Sequence, residues 1–401
     1  MLRSHNDETR VLERAVEVVT KKMPDLAERY LRVPLSYYTD EKFAARERHL
    51  FMTQPIALLA ASEIAEPNTY FVRTAMGRSI LLTRDEDGVA HAFLNYCRHR
   101  GAEPAQGCGK ARGFSCPYHA WTYNTKGELI GTPLPDRNAT LDYGKLGLVE
   151  LASEERHGFI WVVLTPGSAI DVASHLGEVD EQIASLGCHR MKYHSALAHE
   201  PLAANWKTVA EGLVESLHVP FVHRATFNVD PAGGGERFQS IAAIDLAVYD
   251  RFGPHVRYSL PMFGQKEVVE IRQLQASGQK VPPAGRIAQV WLLSPGVLLA
   301  QELYGLIYAD LEPGPTIGST LFRYGWMSPV DNAPENLPSP ADMARRSAAA
   351  VQEDAPVWAA CARGLAFGGH DHTLVGKNEK GVHLFHEALA EQTGYEGLSY
   401  V

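Results

Sequence analysis

No run of this chain approaches the roughly 18 consecutive apolar residues that a bilayer-spanning helix needs, and the opening MLRSHNDETR lacks the apolar core of a secretory signal. A soluble cytoplasmic protein is expected. Basic blocks are missing too. With 38 Lys and Arg against 47 Asp and Glu, the net charge is −9, which argues against nucleic acid or an anionic membrane surface as a partner. Cysteine is scarce, with 5 in 401 residues. Cys108, Cys188 and Cys361 stand singly, as reduced thiols do in a reducing compartment, rather than forming a disulfide framework. There is no G-x-G-x-x-G fingerprint after a strand and no all-cysteine cluster motif. Internal repeats and low-complexity tracts are absent. The hydrophobic content, 45%, is enough for two compact domains.

Two groups of metal-ligand residues stand out. Cys97-Arg98-His99-Arg100-Gly101 is followed, across Gly107, Gly109 and Gly113, by Cys116-Pro117-Tyr118-His119. A structural zinc site normally opens with a pair of cysteines and closes with a pair of histidines. Here each pair mixes one Cys with one His, which suits a [2Fe–2S] cluster with both sulfurs on one iron and both nitrogens on the other. Zinc is the competing occupant. Cys108 lies in the gap and reads as a spectator, because both ligand pairs are already complete.

The second group is Asn205-Trp206-Lys207 through His223, NWKTVAEGLVESLHVPFVH. At about 100° per residue, Glu211, Glu215 and His218 share one stripe of a helix. Pro220 prevents that helix from continuing regularly, so the chain can bring His223 back beside His218. Two imidazoles with a carboxylate from elsewhere make the facial triad that holds mononuclear Fe(II). An isolated H-x4-H is more often a packed pair, and the upstream cluster motif changes that balance.

Together these stretches resemble the α (oxygenase) subunit of the Rieske non-heme iron oxygenases, and the likeness covers nearly the whole chain in order. Ala120 stands where the family usually has Gly. Glu215 stands where ring-hydroxylating members usually carry Asp and members acting on quaternary amines often carry Glu. The resemblance implies cluster ligands Cys97, His99, Cys116 and His119, and iron ligands His218, His223 and Asp354. Pattern alone does not separate Asp354 from the adjacent Glu353, and Asp371 is a further rival. Glu215 would bridge a cluster histidine of one subunit to an iron histidine of its neighbour in a homotrimer, alone (α3) or with a β subunit (α3β3). Asn205 matches a position near the iron, and Glu211 is expected to be structural.

The resemblance also implies an α+β chain. It would have a helical arm over 1–48, a small all-β Rieske domain over 49–166, and a helix-grip (START/SRPBCC-like) catalytic domain with an antiparallel sheet over 167–401. Helices are read from about Asp7 to Tyr30, after Thr39 as N-cap, from Val172 to Leu186 and from Ser339 to Leu365. Strands are read at Tyr70–Val72, Ser79–Leu82, Val89–Leu94, Phe238–Tyr249, Gln289–Leu293, Val297–Tyr308 and Thr316–Met327. His383 and His386 fall on an apolar C-terminal helix as packing residues.

The expected function is terminal oxygenation of an aromatic or similarly apolar compound. O2 would be the oxidant, with electrons from NAD(P)H through a separate reductase, with or without a ferredoxin. The alternative is oxidative attack on a quaternary amine. A remote alternative is a non-catalytic Rieske carrier or zinc-stabilised binding module. Leu213, Val214, Phe221, Val222, Phe227, Phe263 and Tyr304 are the candidate pocket residues. An aromatic cage without a convergent Arg would favour the amine.

Overall fold

Short alternating apolar runs punctuated by glycine build the first half of the chain. Thr69–Ala75 and Arg78–Arg84 form a hairpin turned at Met76-Gly77, both with positive φ, the twist that a two-residue connection requires. They belong to a five-stranded sheet in the order Glu150–Leu151, Ala90–Leu94, Arg78–Arg84, Thr69–Ala75, Cys108–Lys110. Along the central strand, alternate side chains serve two cores. Ile80 and Leu82 pack with Leu58, Ile160 and Val162 of a three-stranded sheet. Leu81, with Phe93 of the neighbouring strand, packs against Cys97, Cys116, Trp121 and Tyr123. The second core therefore anchors both cysteine loops.

The computed structural model describes residues 2–133, 142–223, 225–226, 245–279, 281, 285–302, 305–329 and 339–401. The chain divides into two units, Arg48–His175 with Gly187–Tyr193, and Met1–Glu47 with Leu176–Leu186 and His194–Val401. In the larger unit a seven-stranded sheet runs in the order Met191–Leu202, Thr320–Pro329, Gly305–Pro313, Val297–Glu302, Ile287–Leu293, His255–Pro261, Val248–Phe252. From Val248 onward it is an antiparallel meander. The helix Pro340–Phe367 packs on its strand Thr320–Pro329, and Lys380–Thr393 packs on the strands at the other side. This is the α+β, antiparallel architecture expected. No helix among the described residues is long and apolar enough to cross a membrane.

Of the expected helical arm over 1–48, Met1–Glu47 group with the larger unit. The helix is Leu2–Lys21, and its stripe Val11, Leu12, Ala15, Val16 and Val19 is buried with Val268, Ile271 and Ile287. Asp40 rather than Thr39 caps the next helix, accepting from the N–H groups of Lys42 and Phe43 at 2.7 and 2.9 Å. Thr39 turns back to the Leu35 carbonyl. The segment 172–186 is two short helices about a 3-10 turn, interrupted at Gly177 with φ +54. Val297–Tyr308 is a hairpin rather than one strand. Helix Gln265–Ala276 was not anticipated. Of the expected strand Phe238–Tyr249, residues 238–244 lie outside the described residues.

Candidate metal centres and the adjoining cavity

The two cysteine loops share one backbone design. Gly101 N–H donates to the Cys97 carbonyl and Cys97 N–H to the Ala102 carbonyl. Ala120 N–H donates to the Cys116 carbonyl and Cys116 N–H to the Trp121 carbonyl, all at 2.8–2.9 Å. Each loop thus closes four residues after its cysteine, with the closing residue at positive φ, +79 at Gly101 and +53 at Ala120. That is a left-handed position, which explains why glycine is the ordinary choice there and alanine is strained. Cys97 and Cys116 are 4% and 3% exposed, while His99 is exposed and His119 partly so. The two imidazoles approach to 4.5 Å between centroids, and His99 stacks on Trp121 at 5.0 Å. Sulfurs inside and nitrogens outside suit a two-iron cluster that exchanges electrons through its histidine side. Tyr123 Oη lies 3.3 Å from Cys97 Sγ and accepts from Arg98 N–H at 3.0 Å. Burial, then the cysteine contact, raise its pKa.

At the second centre, His218 and His223 come from one stretch of chain and Asp354 from helix Pro340–Phe367. The expected single helix through Glu215 and His218 does not form. It runs Trp206–Leu213 and ends at Val214, and Val219–Val222 is a separate turn with Pro220 in its first positions. Between them the Glu215 carboxylate accepts the backbone N–H groups of Leu217 and His218, holding a turn that competes with the helix. Glu215 meets His218 through that turn, not along a helical stripe.

His218 Nε2 and His223 Nε2 are 3.2 Å apart. Asp354 Oδ1 is 3.7 Å from the first and 3.3 Å from the second. Adjacent ligands around an octahedral metal stand about 3 Å apart, so this is the spacing of a facial triad. The other nitrogen of each ring is occupied by a carboxylate, His218 Nδ1 by Glu215 and His223 Nδ1 by Glu353 at 3.0 Å. If each Nδ1 carries the proton, two lone pairs and a carboxylate oxygen face one another. A cation relieves that repulsion. Burial pushes Asp354 up to about 7, reinforced by the charges of Glu215 and Glu353. Burial would depress His218, but Glu215 and Asp354 outweigh it and raise the group. Burial prevails at His223 and lowers it.

Glu353 therefore faces His223 from behind, and it also accepts Thr226 N–H at 3.3 Å. Asp371 is bonded to its neighbour His372 at the surface. His383 contacts the Gly376 carbonyl. Asn205 is the N-cap of its helix, accepting from Lys207 N–H and donating to the carbonyls of Tyr38 and Ile317. It is not in the cavity lining. Glu211 accepts from the Tyr38 hydroxyl at 2.5 Å and lies 3.0 Å from His386 Nε2. Lys207 and Glu47, 1% and 2% exposed at their side chains, form a buried pair at 2.5 Å. The rings of Tyr37, Tyr38, Phe43 and Trp206 surround the ammonium at 5.1–5.8 Å. The C-terminal helix approaches so closely that a Cβ at Gly381 would sit 1.9 Å from the Val214 carbonyl oxygen.

A cavity of about 310 Å³ opens beside the triad. One wall is a face of the sheet, with Leu260, Ala288 and Val290, and Leu298 and Ala300 from successive strands and Met262 just past the first; Leu213, Val219, Ala350 and Val351 close it from the helical side. Tyr258, Gln301, Glu302 and Tyr324 are the polar residues that the strands add. Of the expected pocket residues, Leu213 lines it. Phe221 is exposed and Phe263 packs against the N-terminal helix. Val214 and Val222 lie off the lining, and Phe227 and Tyr304 fall outside the described residues. Tyr258, Tyr324 and Glu302 carry no sequence signal, because only strand register makes them neighbours. Glu353 had one, an acid adjacent to an expected ligand.

Residues 54–147 match the model of the Rieske [2Fe-2S] domain and residues 186–394 that of the ring hydroxylating alpha subunit catalytic domain. The oxygenase subunit of carnitine monooxygenase from Escherichia coli K12 is 31% identical over 201 residues, 48% of this chain and 52% of that protein. Chloroplastic choline monooxygenase from Atriplex hortensis is 30% identical over 246 residues, 58% of this chain and 56% of that protein. The chain thus spans about half the length of the curated relatives it matches. A solved quaternary ammonium Rieske monooxygenase with L-carnitine bound shares the fold at a TM-score of 0.72 and 21% identity, covering 92% of this chain and 97% of that one.

Proposed function

Since the chain belongs to the family of ring-hydroxylating oxygenase α subunits, we propose that it is the terminal oxygenase of an electron-transfer system, taking electrons from NAD(P)H through a reductase, with or without a ferredoxin. The observation that carries this is the convergence of His218 Nε2, His223 Nε2 and Asp354 Oδ1 beside a cavity. Those three residues would hold ferrous iron, and Cys97, His99, Cys116 and His119 the two-iron cluster. Between them the two centres supply what O2 lacks toward closed-shell molecules, a binding site and electrons on demand, for R–H + O2 + 2 e⁻ + 2 H⁺ → R–OH + H2O. Glu215 holds the Nδ1 proton of His218, Glu353 does the same for His223, and the aliphatic sheet face keeps bulk water from the reacting carbon. On the same reading Glu215 couples the cluster of one subunit to the iron of another within a cytoplasmic homotrimer. Glu215→Ala then retains cluster and iron but loses coupled turnover.

For the substrate, the carboxylate-and-tyrosine additions to the lining favour a cationic amine, oxidised at a carbon next to nitrogen. Likeness to carnitine and choline monooxygenases and the glutamate at position 215 support it. The aliphatic walls favour a second reading, hydroxylation of an aromatic or similarly apolar compound.

The test combines metal analysis with turnover. About three irons and two acid-labile sulfides per chain are expected, against two irons for a carrier. His218→Ala should keep the rhombic cluster EPR signal and lose oxygen-dependent product. Chemically reduced protein given O2 with choline in one assay and naphthalene in another assigns the substrate class. Product from neither, in fully metallated protein, overturns both readings.

A further inference from the structure

Glu353 and Asp354 leave their helix about 100° apart, so a turn of that size about the helix axis would exchange them at the histidines. The helix is weakest where this matters. Pro356 lies inside it, with no N–H for the Gln352 carbonyl and a ring that crowds the same turn. The rotation must therefore be held by contacts from outside. Trp358 is one turn beyond Asp354 on the same face and is 6% exposed. Its indole lies against Gly212, where an added Cβ would stand 2.7 Å from Nε1, 3.3 Å from Cε2 and 3.4 Å from Cζ2. Phe322 meets the same ring at 6.5 Å between centroids and 73° between planes. Two turns before Asp354, again on that face, Ser347 is hydrogen-bonded to the Tyr324 hydroxyl. Gly212 belongs to helix Trp206–Leu213 and comes three residues ahead of Glu215, the carboxylate on His218 Nδ1. Glycine in a helix costs about 1 kcal/mol relative to alanine, yet a side chain at 212 would meet the indole at this depth.

We propose that Trp358, seated on the bare backbone of Gly212, is the positioning residue that turns Asp354 rather than Glu353 toward the two histidines. This role rests on the iron reading above and adds what registers one ligand-bearing element against the other. Rotation of the helix would take Asp354 from the triad and Glu353 from His223 Nδ1 together, so a single contact protects both carboxylates.

The experiment measures the Fe(II) dissociation constant of the full-length, cluster-loaded protein under anaerobic conditions. It compares the wild type with Gly212→Ala, which drives a methyl into the indole, Trp358→Leu, which withdraws the indole, and the double variant. The visible spectrum with Co(II) in place of iron reports the ligand geometry, and the melting temperature of the iron-free protein reports packing. Each single variant should bind Fe(II) about tenfold more weakly, as disturbed support of a metal site ordinarily does, with a shifted Co(II) spectrum and the rhombic cluster signal unchanged. The double variant should also be weakened about tenfold, because both changes break one contact, whereas independent effects would multiply to about a hundredfold. A wild type that binds no Fe(II) overturns the iron reading and this role with it. Iron affinity and Co(II) spectra that stay at wild-type values in the variants, whatever their melting temperatures, overturn the positioning role and leave the iron reading standing. A hundredfold loss in the double variant overturns the pairing of Trp358 with Gly212. Should Gly212→Ala fail to fold, Trp358→Leu alone decides, by the same tenfold loss or its absence.

Discussion

Glu353 and Asp354 are neighbours with opposite duties. One buttresses the outer nitrogen of His223, while the other points its oxygen at the inner nitrogens of both histidines. A carboxylate behind a metal-binding histidine fixes the ring's tautomer and angle, and its removal ordinarily costs ten- to a hundredfold in metal affinity or activity. Glu353→Ala should accordingly weaken Fe(II) retention by about that factor, read by dialysis against a chelator, with the rhombic cluster signal intact. Undiminished retention would show His223 to be held by packing alone. Asp354 gives a pH dependence. Its pKa in the iron-free protein is pushed up to about 7 from 3.8, so the folded state favours its protonated form. The stability this group contributes is full below about pH 4 and is lost as pH rises through 7. Iron binds the anion, and His218, raised by its acidic neighbours, also yields its proton to the metal. The gain in melting temperature on adding Fe(II) should therefore grow from pH 6 to pH 8. Calorimetry with and without iron checks this, and Asp354→Asn should flatten the trend. The sequence could narrow the third ligand to an acid near 354 but not choose between two adjacent ones. That choice depends on the roughly 100° rotation per residue of a helix whose phase is set by packing.

Among the elements, the segment from Val214 to His223 shows where pattern reading reached its limit. The residues that matter were legible, because Glu215, His218 and His223 recur at short spacing on either side of Pro220. The helix drawn through them was not, because the Glu215 side chain takes backbone N–H groups that the helix would have used, a competition that hydrophobic periodicity does not register. The break is also packed from outside, since Gly381 lets the C-terminal helix meet the Val214 carbonyl. Gly381→Ala must push either that helix or the 214–218 turn away. The expected result is loss of bound mononuclear iron with the cluster retained, measured by iron-to-sulfide ratio, together with a lower melting temperature. An unchanged ratio would show that the C-terminal helix yields instead of the turn. The small β unit was more legible, since alternation, turn residues and ligand motifs agreed there. Val297–Tyr308 reads as one strand because apolar residues flank Gln301 and Glu302 on both sides, yet Val297–Glu302 and Gly305–Pro313 are separate strands paired antiparallel.

At the scale of the whole molecule, the N-terminal residues belong to the catalytic unit, a placement that composition could not foretell. Glu47 reaches across the fold to Lys207 beside the Asn205 cap, and both charges are buried among aromatic rings. Burial lowers the Lys207 pKa, against the pull of Glu47. Leaving either charge alone is expensive, about 3–5 kcal/mol, whereas replacing both with apolar side chains of like size is close to neutral. Lys207→Met should destabilise the protein by about that amount in urea denaturation, and adding Glu47→Leu should restore most of it. Failure of the second change to rescue the first would mean that Lys207 matters through its packing rather than its charge. The division of labour within the larger unit has a consequence of another kind. Strands supply one wall of the cavity while the stretch 215–223 and helix Pro340–Phe367 supply the donor atoms, so substitutions at Leu260, Val290 or Leu298 can resize the space without altering a ligand residue. The cavity can then be reshaped by point changes on its strands while the three donor atoms keep their places.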